Sequence, residues 1–117
     1  MSTYRNHSVV GHYANQAGMY GATYNHFEFS MVHLCNTHVF IDERSHGNRI
    51  EVAVNSQGLE GSAGVVIAGY GNLVTLNTVQ TAPQQNVVFE ETAADNLIIA
   101  MRLPNGVTSR ATMPTNR

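Results

Sequence analysis

The stretch Gly64-Val65-Val66-Ile67-Ala68-Gly69-Tyr70-Gly71-Asn72-Leu73-Val74-Thr75-Leu76-Asn77-Thr78-Val79 sets two β-rich runs either side of a cluster of turn residues. Glycine adopts positive φ without penalty and asparagine tolerates it, so a tight connection at Gly69–Asn72 is inexpensive. With Tyr70 and Gly71 as a two-residue loop, counting outward pairs Ala68 with Leu73, Ile67 with Val74 and Val65 with Leu76. Side chains alternate faces along a strand, so Val65, Ile67, Val74 and Leu76 share one face, which reads as core. The expectation is a β-hairpin at the centre of the fold.

The remainder of the chain follows the same style. Phe27, Phe29 and Met31 alternate with His26, Glu28 and Ser30. Val32, Leu34, Val39 and Ile41 then form an aliphatic quartet if Asn36-Thr37 is a second two-residue turn. The two apolar sets fall on opposite faces, which implies a bulge near Ser30 or a strand that passes between two environments. Ile50, Val52 and Val54 alternate with Glu51 and Ala53, a strand with one wet face. Val87-Val88-Phe89 is a short strand. Residues 93–103 fit helical as well as strand spacing, with Thr92 in N-cap position, and are read as strand because nearly every other element is one. A short edge strand is expected after Val107. No internal repeat stands out. Seven to eight short antiparallel strands, broken by Gly, Asn and Pro turns, predict an all-β domain of β-sandwich or jelly-roll type over residues 24–117.

Residues 1–23 read as an extended N-terminal arm. Tyr4, Tyr13, Tyr20 and, just beyond, Tyr24 are spread among glycines and small polar residues. Such a segment has too few aliphatics for a core, and its tyrosines offer amphipathic contact area, so these four are expected at contacts between copies of the chain.

Composition narrows the function classes. The 117 residues suit one domain, and charged residues are only 12% of them, about half the usual share. All six basic side chains are arginines, at positions 5, 44, 49, 102, 110 and 117, and they form no stripe. Nucleic acid and membrane surfaces are therefore disfavoured as partners. Absent lysine and scarce charge suit a surface that packs on itself, because lysine and glutamate are depleted at interfaces. The N-terminus has no apolar h-region, so the chain is expected to be made in the cytoplasm, with a virion as one destination.

Candidates for chemistry are few. The six histidines lie within the first 46 residues, and Cys35 is the only cysteine. The Asn36-Thr37 hairpin would bring His33, Cys35 and His38 to one face, a soft donor set suited to zinc or copper. Cross-strand polar pairs of this kind are more often structural, so no metal and no cofactor is expected. His26-Phe27-Glu28 matches half of the zinc deaminase signature, but the Pro-Cys-x-x-Cys half is missing. Asn48, Tyr70, Asn72, Asn96 and Asn105 fall at predicted loop tips, where planar amides and an aromatic face would suit a glycan. The leading expectation is a non-enzymatic structural subunit of a symmetric homo-oligomer of the virion coat or capsid-decoration type, with its own copies or another capsid protein as partner. The alternatives are a lectin-like carbohydrate-binding module and a small metal-dependent enzyme using His33, Cys35 and His38.

Overall fold

The computed structural model describes the backbone of residues 3–13, 17–35, 37–55, 63–80, 85–100, 103, 106–112 and 114–117. Side chains are described for these residues except 3–19, 29–35, 38, 54–55, 77–80 and 85. Among the described residues ten strands follow one another: β1 Thr3–Tyr13, β2 Ala17–Met19, β3 His26–Cys35, β4 Thr37–Ile41, β5 Arg49–Asn55, β6 Ala63–Ile67, β7 Leu73–Gln80, β8 Gln85–Phe89, β9 Leu97–Ala100 and β10 Val107–Ser109. The odd-numbered strands form one sheet, A, and the even-numbered strands a second, B, each in sequence order. Among the described residues every pairing between strands is parallel.

The chain therefore coils as a two-sheet parallel β-solenoid. Each rung has one strand in sheet A and one in sheet B, and pairs with the rungs above and below. This corrects the expectation of an antiparallel sandwich. β6 and β7 make no hairpin: they lie in opposite sheets, and Val65 pairs with Val39 and Val87 while Val74 pairs with Ile50 and Ile98. β3 and β4 likewise separate into different sheets, so Asn36-Thr37 closes no hairpin. The turn chemistry at Gly71 is as expected, with φ 63°, but it rounds a corner instead of reversing the chain. Residues 1–23, expected as an arm, carry β1 and β2, which pair with β3 and β4 and add a first rung to the two sheets. The irregularity expected near Ser30 is present as a register shift between Phe29 and Val32. Residues 97–100 are strand, and β10 supplies the short strand expected after Val107.

The burial expected of Val65, Ile67, Val74 and Leu76 holds, at 0–4% exposure, for a different reason. They face each other across the gap between the sheets. Stacked columns fill that gap: Phe27, Ile50, Val74 and Ile98, then Val52, Leu76 and Ala100, from sheet A, with Val39, Val65 and Val87, then Ile41, Ile67 and Phe89, from sheet B. Like residues stack on like because the parallel register repeats each position one rung on.

One corner is fixed by an asparagine ladder. The Oδ1 of Asn48, Asn72, Asn96 and Asn116 accepts from the backbone N–H of Asn25, Asn48, Asn72 and Asn96 respectively, at 2.9–3.2 Å. The Nδ2 of Asn48, Asn72 and Asn96 also donates to the next Oδ1, at 2.8–3.1 Å. The bonded pairs lie 23, 24, 24 and 20 residues apart, which is the repeat the sequence conceals. The residue just before each of the first four ladder positions has positive φ: Tyr24, Gly47, Gly71 and Asp95. That backbone turns the amide inward, where the buried polar groups satisfy one another.

Candidate functional site

The two sheets differ in what they show to the outside. In sheet A, outward positions alternate with core positions and begin polar: His26 pairs with Arg49, and Glu28 with Glu51. In sheet B, each of three successive strands has an apolar triplet, Val39-Phe40-Ile41, Val65-Val66-Ile67 and Val87-Val88-Phe89. The outer residues of these triplets pair in register, Phe40 with Val66 with Val88, and Thr108 follows. A parallel sheet with apolar runs through its strands is normally covered on both faces.

A groove of about 500 Å³ lies on this outer face, lined by Thr37, Phe40, Val66, Ala68 and Glu90. Phe40 and Val66 are half-buried, and the ring of Tyr20 tilts against Phe40 at 5.6 Å between centroids. Tyr20 itself is 61% exposed. Arg110 reaches Glu90 at 2.8 Å and supplies a charged rim. An apolar centre with an aromatic flank and an arginine rim is the composition of a protein–protein contact.

The outer face of sheet A carries a cluster of a different kind. His26 and Glu28 sit two residues apart on β3, so their side chains share a face. Parallel register sets Glu28 beside Glu51 of β5. His26 Nε2 lies 3.1 Å from Glu51 Oε2 and 3.8 Å from Glu28 Oε1. Arg49 Nη2 lies 3.5 Å from Glu51 Oε1. The hydrogen bond with His26, helped by Glu28 and by the positive charge of Arg49, holds the Glu51 carboxyl below its ordinary range against the opposing effect of burial.

A third feature runs along the asparagine corner. Tyr24, His46 and Tyr70 occupy successive rungs, and the bridges Thr23–His46 and His46–Tyr70 hold the backbone in step. The Tyr24 ring meets His46 edge-on at 5.2 Å, and His46 stacks on Tyr70 at 4.6 Å with 7° between planes. Tyr24 and Tyr70 are exposed. Asp42, just past the end of β4, is buried, accepting from Gly21 N–H, Ser45 Oγ and Arg44. Burial alone would raise its pKa, but these hydrogen bonds and the Arg44 charge outweigh it and lower it to about 2.

The expected site residues scatter over these features. Asn48, Asn72 and Asn96, at 1–2% exposure, form the internal ladder, so their amides face one another and not a glycan. Of the expected loop tips, Tyr70 is exposed, and Asn105 lies outside the described residues. Tyr20 and Tyr24 are exposed, while the side chains of Tyr4 and Tyr13 lie outside the description. So do those of His33, Cys35 and His38, and the hairpin that was to join them is not formed. Sequence reading missed Glu51, whose place beside His26 and Glu28 follows only from parallel register. It also missed the sheet B groove, although the uninterrupted triplets were its signal.

No protein-family model, curated protein or solved structure matches this chain.

Proposed function

We propose that the chain is a non-enzymatic structural subunit of a symmetric homo-oligomeric assembly, of the virion coat or capsid-decoration type, and that copies join through the outer face of sheet B. The observation that carries this reading is the half-buried pair Phe40–Val66 and its groove, on the outer face of a parallel sheet whose apolar column is already covered one strand further on, at Val88. A second copy suits the groove because both partners then bring the same apolar centre and the same Arg110–Glu90 rim, as a two-fold contact requires. Few charges and no lysine favour the same association.

Sedimentation velocity at micromolar concentration tests it. The native chain is expected as a multiple of 12.8 kDa. Val66→Asp, which sets a charge at the centre of the face, is expected to sediment as a monomer with an unchanged circular dichroism spectrum. A monomeric native chain, or a Val66→Asp variant that assembles normally, refutes the reading.

Glycan binding is a second reading, and the exposed Tyr24–His46–Tyr70 ladder favours it, because stacked aromatics along a corner offer flat faces to successive sugar rings. Glycan-array binding lost in Tyr70→Ala would support it, and an array without a hit would remove it.

A further inference from the structure

We infer that His26, Glu28 and Glu51 form a binding site for a divalent transition-metal ion of the zinc class on the outer face of sheet A. The proposal goes beyond the assembly role and involves the opposite sheet.

Three donors of the right kind converge. One ligand atom from each side chain lies within 4.8 Å of the others. Ligand atoms about 2.0–2.1 Å from a tetrahedral zinc sit about 3.3 Å apart. The separations from His26 Nε2, 3.1 Å to Glu51 and 3.8 Å to Glu28, lie either side of that value, so small rotations of the carboxylates close the set. The donors stand on two paired strands rather than on loops, which fixes their Cα positions in advance.

Electrostatics points the same way. Glu28 and Glu51 are directly paired across parallel strands, so both carboxylates can turn toward one cation. The chain has only eight acidic residues, and two of them are placed side by side. Arg49 answers part of the charge from one side at 3.5 Å, and its side chain is 58% exposed and free to swing out when an ion enters. One imidazole and two carboxylates suit zinc better than calcium or magnesium, which prefer all-oxygen sets. Three protein ligands leave a coordination position for water or for a group from outside the chain.

Titration of the full chain with zinc chloride in a non-chelating buffer, followed by calorimetry and by a competing chromophoric chelator, tests the site. A single equivalent is expected. His26→Ala, Glu51→Gln and Glu28→Gln should each weaken it at least about tenfold, as loss of a ligand does. Arg49→Gln should strengthen it, since a competing cation is removed. Cys35→Ser should leave it unchanged. Circular dichroism identifies any variant that misfolds, and Glu28→Gln decides the question if Glu51→Gln does so. Native protein that takes up no zinc overturns the proposal. So does binding that survives Glu28→Gln and Glu51→Gln, or that vanishes with Cys35→Ser.

Discussion

Gly47 and Gly71 hold nearly the same left-handed backbone, φ 67° and 63°, at equivalent corners of successive rungs. Their surroundings differ. A Cβ at Gly71 would meet nothing closer than 4.0 Å, whereas one at Gly47 would collide with the ring of Tyr24. Gly71→Ala therefore isolates the backbone cost of left-handed φ, and should destabilise by about 1 kcal/mol once the stiffer unfolded chain is credited. Gly47→Ala should cost more, because the Tyr24 ring must also leave its place against the corner. Urea midpoints of the two variants check the order, and equal losses would show that the ring adapts freely. Asp42 gives the residue-scale prediction with pH. Its folded pKa, about 2, lies below the ordinary 3.8, so it stabilises the fold fully above pH 4 and that stability is lost as pH falls from 4 toward 2. Asp42→Asn should be less stable than the native chain at pH 7, and the gap between their melting temperatures should narrow across that window. A gap that stays constant down to pH 2 would mean the carboxylate charge is unimportant there. Much at this scale was legible. The turn at Gly71 and the burial of Ile67 and Val74 follow from residue type and alternation alone.

At the scale of elements, the asparagine ladder separates a structural amide from a turn residue. Asn72 Oδ1 accepts from both the backbone and the side chain of Asn48, and its Nδ2 donates to Asn96 Oδ1 and to Ser45 O. Asn72→Ala leaves the buried Asn48 N–H without its acceptor and takes one of two partners from Asn48 Nδ2, Asn96 Oδ1 and Ser45 O. At about 1–3 kcal/mol for the unsatisfied donor and about 1 kcal/mol for each further bond lost, the loss should reach several kcal/mol. Asn116 makes the same kinds of bond at the last step of the ladder but is only half-buried, so water can replace its amide. Asn116→Ala should cost about 1 kcal/mol, the net value of an ordinary hydrogen bond. Thermal unfolding of the pair measures the difference, and equal destabilisation would show that depth in the stack does not matter. This contrast also explains what sequence reading could not see. Asparagine beside glycine is the signature of an exposed hairpin turn, and nothing local to Gly71-Asn72 tells a turn that reverses the chain from a corner that carries it to the opposite sheet. The alternation of Val74 and Leu76 with Thr75 is the same in both. What differs is the pairing partner, adjacent in a hairpin and about 24 residues away here. The His26–Glu28–Glu51 cluster was hidden for the same reason, since only the parallel register of β3 and β5 joins its two halves.

For the whole molecule, the repeat predicts that the chain can lose a complete rung and still fold. Its period was masked in the sequence because only the ladder asparagines and the core positions recur, and because the corners vary in length. Asp42 to Asn48 and Glu90 to Asn96 each take six steps, while the equivalent Ala68 to Asn72 takes four. Deleting residues 49–72 removes β5, β6 and the short corner, and joins Asn48 to Leu73. β7 then falls beside β3 and β8 beside β4. Phe27 stacks on Val74, Val39 on Val87 and Ile41 on Phe89, all apolar on apolar, and the two long corners meet at matching length. Stability in stacked repeats is close to a sum of rung and neighbour terms, so the shortened chain should unfold cooperatively at lower denaturant and with a smaller m-value. Deleting residues 49–60 provides the control. It removes β5 alone and carries β6, built for sheet B, into the path of sheet A, so every later strand changes sheets. That variant should lose its strand signal in circular dichroism. A sandwich of hairpins gives no reason for the 24-residue deletion to be the tolerated one. If both deletions unfold the chain, rungs are not interchangeable units; if both fold, the parallel register does not govern the architecture.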